Sequence, residues 1–152
     1  NGSGRLSGAC QTACELRGHV SRRLLPSACS SASEGLDFAG CLPMPDGAAK
    51  ALGAGFIPLR KPGKLPWKTV RHEYELEYGT DALEAHADAC PPGANVLIVD
   101  DVLATGGTAA AAGALVRRLS GKVAGWSFLL AIQGLNGQAR LETGPVHIVL
   151  AV

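Results

Sequence analysis

Long hydrophobic runs are missing from this 152-residue chain. Its longest nearly unbroken apolar run, residues 123–132, has about half the roughly 20 residues that a membrane span requires. No apolar stretch flanked by basic residues opens the sequence, so no secretory signal is expected. An excess of one charge is missing too. Fourteen Lys and Arg face thirteen Asp and Glu, for a net charge of +1, which gives no field to attract nucleic acid or an anionic membrane surface. Charged residues make up only 18% and hydrophobic ones 47%, which excludes a polar disordered tail for the chain as a whole. The five cysteines, at 10, 14, 29, 41 and 90, form no repeating pattern. Cys10 and Cys14 could share a helix face, but no second ligand pair completes a zinc site. Free thiols in a reducing cytoplasm are the expectation.

What the chain has is small residues, 24 alanines and 20 glycines, and a length that suits one domain. About 68–70% of the unfolded surface would be buried at this size. The local signals divide the chain in two. Residues 1–45 show no sustained period of 2 or 3.6 and are expected to be either disordered or aberrant, with a helix over 11–25 as the one candidate element. Residues 46–152 read as a domain. Asp46 can cap a short helix ended by Gly53. Residues 56–59 read as a strand, 60–79 as a long connection basic at its start, and 81–89 as a short helix. A buried strand is expected over 96–99, a loop over 100–107, a helix over 108–120 with Gly121 as its stop, and strands over 122–132 and 145–152. Alternating strands and helices make the fold class α/β, with a mainly parallel twisted sheet flanked by helices.

The strongest chemical signal is Val96-Leu-Ile-Val-Asp-Asp-Val-Leu-Ala-Thr-Gly-Gly-Thr108. A buried strand delivers Asp100 and Asp101 at its C-terminal end, where open α/β sheets bind ligands. The stretch Ala104, Thr105, Gly106, Gly107, Thr108 then opens a helix. Its glycines let a ligand approach the backbone, and a helix start with free N–H groups and two hydroxyls suits a phosphate. Each hydrogen bond to a charged group contributes roughly 1.5–3 kcal/mol, so four or five would hold a phosphomonoester. Carboxylates repel that phosphate and suit vicinal hydroxyls, a cation, or both. Phosphate cradle and hydroxyl site one sugar apart describe a ribose 5-phosphate. No Gly-Lys-Ser/Thr ends the string and no Gly-x-Gly-x-x-Gly occurs, so it is neither a Walker A loop nor a dinucleotide fingerprint.

This string resembles the phosphoribosyl pyrophosphate (PRPP) motif of the type I phosphoribosyltransferases. Phe56-Ile-Pro-Leu-Arg-Lys-Pro-Gly-Lys-Leu-Pro66 and Tyr74-Glu-Leu-Glu-Tyr-Gly79 narrow the resemblance to adenine phosphoribosyltransferase. It covers about residues 48–152. It implies transfer of 5-phosphoribose from PRPP to adenine, giving AMP and pyrophosphate, by a cytoplasmic homodimer that engages neither nucleic acid nor membrane. Asp100 and Asp101 would hold the ribose hydroxyls, and residues 104–108 the 5-phosphate. Arg60, Lys61 and Lys64 would face the pyrophosphate, with Mg2+ carried on PRPP and touching the two aspartates through water. Glu77 would handle the purine proton and Tyr78 would belong to a loop closing over the substrates. The four histidines (19, 72, 86 and 147) match no nucleophile–base pattern and are expected to be structural or solvated, and Trp67 is expected to pack.

One departure stands beside the match. Where the family carries a Gly-x-(Asp/Glu)-(Ala/Ser)-Arg-Gly-Phe pyrophosphate loop, this chain has Ala39-Gly-Cys-Leu-Pro-Met-Pro-Asp-Gly47, without arginine. The family's N-terminal Phe-Arg-Asp-like adenine segment is not found either. A reading-frame change in a GC-rich gene would produce such an abrupt boundary, and so would divergence. Two other functional readings therefore stay open: a non-catalytic PRPP- or nucleotide-binding regulator, and an inactive product lacking the pyrophosphate loop.

Overall fold

The computed structural model describes residues 11–16, 49–50, 52–75, 79–142 and 144–152. Among the described residues, seven strands form two sheets. The larger has five strands, in the order β2 (Gly55–Leu59), β1 (Gln11–Leu16), β5 (Asn95–Leu103), β6 (Lys122–Ala131), β7 (Val146–Ala151). The pairings β5–β6 and β6–β7 are parallel. β1 runs antiparallel to both β2 and β5, so the other four strands share one direction. The smaller sheet is the antiparallel hairpin of β3 (Thr69–Glu75) and β4 (Thr80–His86). A backbone bridge between Arg60 and Glu84 ties the end of β2 to β4.

The sheet and hairpin are joined through helix α1 (Gly107–Arg118), which contacts β3, β4, β5 and β6. Its buried face consists of small residues, Ala109, Ala111, Ala112 and Gly113, then Leu115 and Val116. Small side chains let the helix lie close on the sheet. A Cβ at Gly113 would stand 2.8 Å from the Trp126 ring. Trp126, Phe128, Leu59, Leu83, Ile98 and Val96 are fully buried in one core with the helix, each such apolar side chain contributing about 1.5–3 kcal/mol. Arg117 and Arg118 occupy the last turn, where cations favour the helix dipole.

Several elements differ from the sequence reading. Residues 11–16 are a strand, not part of a helix: hydrogen bonds to β2 on one side and β5 on the other satisfy their backbone groups. The remainder of the expected 11–25 helix, and the Asp46 cap, lie outside the described residues. Ala49, Lys50 and Leu52 are helical, and Gly53 follows with φ +62°. The expected 81–89 helix is strand β4. Its helix-forming residues are overridden by pairing along β3 and by burial of Ala82, Leu83 and Ala85. The 60–79 connection contains β3. Strand β5 runs on through Leu103, which shortens the expected 100–107 loop to three residues, 104–106.

Candidate active site

Asp100 and Asp101 sit near the C-terminal end of β5, beside the parallel strand β6. A strand alternates its side chains, so the two point to opposite faces. Asp100 is 5% exposed, and its Oδ1 accepts the Asp101 amide at 2.9 Å. Asp101 is exposed. One carboxylate is thereby fixed in the protein and the next is presented to solvent.

The chain then turns through residues 104–106 into α1. Gly106 is the N-cap, at φ +78°, with no side-chain cap. Its turn is braced by Gly137: a Cβ on Gly106 would fall 2.3 Å from the Gly137 carbonyl, and one on Gly137 would fall 2.2 Å from the Ala104 carbonyl. Gly107 differs. A Cβ there would meet Arg140 Nη1 at 3.6 Å, Thr105 Oγ1 at 3.8 Å and the Glu75 carbonyl at 3.9 Å, all ordinary contacts. The protein has room for a side chain at Gly107 and leaves the space open. Among the described residues, the amides of Thr105, Gly106, Gly107 and Thr108 donate to no acceptor. The first bond of the helix is Ala110 N–H to the Gly106 carbonyl, at 2.9 Å. Open donors, an open space and a helix N-terminus define an anion cradle.

Arg140 was not foreseen. It lies 32 positions beyond Thr108, on a short 3-10 turn, Gly137–Arg140. The close approach of Gly137 to residues 104 and 106 brings its guanidinium to the cradle. It is exposed and has no ion-pair partner among the described residues. Only a Gly four residues into a turn marks it in the sequence, which is too weak a signal to find it.

The basic segment divides. The Arg60 backbone exchanges hydrogen bonds with Glu84, at 2.9 and 2.7 Å, and the Gly63 amide donates to Glu84 Oε2 at 3.1 Å. Glu84, 9% exposed, thus shapes the turn. The Arg60 and Lys64 side chains have no ion-pair partner among the described residues. Lys61 is engaged otherwise. It is paired with Asp81 and donates to the Tyr74 hydroxyl at 3.2 Å. That hydroxyl lies 3.3 Å from Asp81 Oδ2 and 3.4 Å from Thr108 Oγ1. Burial works against the charge on Lys61, but its bonds to Asp81 and Tyr74 outweigh it and hold the pKa above the ordinary lysine value. Burial likewise opposes the Asp81 charge. The Lys61 hydrogen bond and the Ala82 amide prevail, and the carboxyl titrates below its usual range.

Glu77 and Tyr78 lie outside the described residues. Trp67 does not pack: it is 90% exposed, at φ +75°. His72 and His86 are half-buried and His147 is exposed. A cavity of about 210 Å³ beside the cradle's footing is lined by Leu103, Ala131, Ile132, Gln133, Gln138 and Ile148 among others. No charged residue lines it. No group of three or more His, Cys, Asp or Glu among the described residues could hold a metal by itself. Asp101, the exposed one of the two carboxylates, suits an ion that keeps its water and arrives on a phosphate, which is how Mg2+ is usually held.

A strand ending in paired carboxylates, followed by an amide cradle at a helix start on a mainly parallel sheet, defines a type I phosphoribosyltransferase-like domain. No profile of a known protein family matches the chain. It is 59% identical over 102 residues to the adenine phosphoribosyltransferase of Anaeromyxobacter dehalogenans (strain 2CP-C), covering 67% of this chain and 59% of that one. It superposes on the adenine phosphoribosyltransferase of Rhodothermus marinus with a TM-score of 0.68 and 53% identity, over 70% of this chain and 61% of that one. The Saccharomyces cerevisiae enzyme, solved with adenine and D-2,5-dideoxy-2,5-imino-altritol 1,6-bisphosphate, gives 0.63 and 46%, over 66% and 57%. Over the matched residues the chain is similar to the adenine phosphoribosyltransferases. It spans about three-fifths of the length of these relatives.

Proposed function

We propose that the chain transfers 5-phosphoribose from PRPP to adenine, releasing pyrophosphate and forming AMP. The carrying observation is the set of unengaged amides at 105–108, directly after Asp100 and Asp101. Residues 104–108 bind the 5-phosphate, with Arg140 supplying a cation at the rim. Asp101 accepts ribose hydroxyls, and Asp100, held by the Asp101 amide, fixes the backbone that presents it. As the bond to pyrophosphate breaks, positive charge develops on the sugar ring, and the two carboxylates favour it electrostatically. Arg60 and Lys64 neutralise the departing pyrophosphate. Mg2+, if carried on the substrate, would add to that neutralisation, and Asp101 is the exposed carboxylate that would hold its bound water. On the family resemblance, Glu77 takes the proton of the attacking base and Tyr78 closes the site; a homodimer and a cytoplasmic location go with the same reading. No described helix is long and apolar enough to cross a membrane.

A second reading, binding without turnover, is favoured by one observation: residues 39–47 contain no arginine where the family's pyrophosphate loop has one. The two separate in one experiment. AMP formation from adenine, PRPP and Mg2+ is followed while AMP and PRPP binding are read by thermal shift. Turnover that drops at least a hundredfold in Asp101→Asn and Glu77→Gln supports the transferase. Binding without turnover supports the second reading. Faster turnover with hypoxanthine or guanine than with adenine would overturn the base assignment.

A further inference from the structure

We propose that Lys61 is a positioning residue of the phosphate cradle, acting through Asp81 and Tyr74 on Thr108, and not a ligand of the pyrophosphate. This rests on the reading of residues 104–108 as the 5-phosphate site. Donors and acceptors compete around one hydroxyl. The Tyr74 hydroxyl has one proton to donate and oxygen lone pairs to accept. Three groups surround it: the Lys61 ammonium, a donor only; the Asp81 carboxylate, an acceptor only; and the Thr108 hydroxyl, which can be either. Asp81 and Thr108 lie almost equally far from it, at 3.3 and 3.4 Å, so distance does not decide where its proton goes.

The rest of the cluster decides it. Asp81 Oδ2 is already paired with Lys61, and Oδ1 accepts the Ala82 amide at 2.8 Å. Each carboxylate oxygen can accept a further hydrogen bond, but with Lys61 on Oδ2 and the Ala82 amide on Oδ1 the charge of Asp81 is largely met, and the Tyr74 proton is shared between Asp81 and Thr108; the share given to Thr108 is what Lys61 protects. Thr108 then accepts from Tyr74 and turns its own proton outward, towards the cradle, where a phosphate oxygen can take it. Without Lys61 the order reverses. An ionised carboxylate short of a donor is the stronger acceptor; it claims the Tyr74 proton, Thr108 donates to the Tyr74 oxygen, and the cradle loses a donor. Lys61 therefore sets the direction of a three-member relay.

Ribose 5-phosphate, which has no pyrophosphate, tests this by calorimetry. The relay requires Lys61→Met to weaken ribose 5-phosphate binding by about tenfold, the loss of one hydrogen bond to a charged group. Tyr74→Phe, which keeps the ring and removes only the hydroxyl, should lose a similar factor. In a Thr108→Ala background neither change should add anything, because residues acting as one unit are not additive. Asp81→Asn should restore binding in Lys61→Met to within about threefold, since a neutral amide competes less for the proton and can itself donate to Tyr74. A merely structural role would not produce that rescue. Thermal melts identify any variant that fails to fold, and Tyr74→Phe then carries the test. If Lys61→Met leaves ribose 5-phosphate binding unchanged while weakening inorganic pyrophosphate binding, or if its effect adds fully to Thr108→Ala, the relay is wrong and Lys61 is a direct ligand. If the unaltered chain does not bind ribose 5-phosphate, the cradle reading itself fails, a result distinct from the others.

Discussion

Gly106 and Gly107 are neighbours under different constraints. Gly106 needs its missing side chain for the fold: its φ is +78°, and a Cβ would collide with the Gly137 carbonyl at 2.3 Å. A left-handed non-glycine residue costs roughly 1–2 kcal/mol, and an overpacked contact about 1–3 more. Gly107 has helical geometry and room for a methyl group, so neither strain nor packing demands glycine there. The remaining reason is the ligand, whose oxygens would occupy the space between Gly107, Thr105 and Arg140. The two alanine variants should therefore separate stability from binding. Gly106→Ala is expected to destabilise the protein by about 2–5 kcal/mol in urea unfolding. Gly107→Ala should melt at or slightly above the native temperature, since alanine is the better helix former, yet bind ribose 5-phosphate at least tenfold more weakly. Equal binding by native and Gly107→Ala proteins would show that the open space serves no ligand.

Elements show the same division between local and distant causes. Helix α1 ends in a Schellman turn: the Ser120 amide donates to Arg117 at 2.8 Å and the Gly121 amide to Val116 at 3.0 Å. The left-handed position falls on Ser120, at φ +63°, where glycine is usual. Gly121, expected from the sequence to stop the helix, serves packing instead, because a Cβ there would lie 2.8 Å from Cys90 Sγ. Ser120→Gly should relieve the strain and stabilise by about 1 kcal/mol, raising Tm by about 2–4 °C for a chain of this size. A lower Tm would mean that the serine makes up for its strain in some other way. Helix α1 and strands β2, β6 and β7 were legible because their hydrophobic period is intact and their turn signals are local. β3 was also written in the sequence: Val70, His72 and Tyr74 alternate with exposed Arg71, Glu73 and Glu75, a period of 2 obscured because only one of the three half-buried positions, Val70, is aliphatic. β4 was not. Ala82, Leu83 and Ala85 favour a helix by propensity, and only pairing with β3 and burial beneath α1 make them a strand. The carboxylates and the glycine turn could be read because nine consecutive residues, 100–108, carry them. Arg140, and the engagement of Lys61 with Asp81 and Tyr74, depend on approaches between segments 13 to 35 positions apart, which no local pattern records.

At the scale of the whole molecule, the two ends of PRPP would, on the proposed function, meet differently built halves of the site. The 5-phosphate end would be served by one continuous strand–turn–helix, with Gly137 bracing the turn and Arg140 at its rim. The pyrophosphate end would depend on the segment after β2, where Glu84 fixes the backbone, Lys61 is held by Asp81 and Tyr74, and Arg60 and Lys64 have no ion-pair partner among the described residues. The family's third contributor, an arginine loop, has no counterpart in residues 39–47. Binding energy should then be concentrated at the phosphate end. Ribose 5-phosphate is expected to bind nearly as well as PRPP with Mg2+, the two dissociation constants differing by no more than about tenfold, or 1.4 kcal/mol. Lys64→Ala should remove most of that difference while leaving ribose 5-phosphate binding unchanged. Titration calorimetry with both ligands checks this directly. A PRPP affinity a hundredfold or more above that of ribose 5-phosphate would mean that another part of the chain supplies the missing cation.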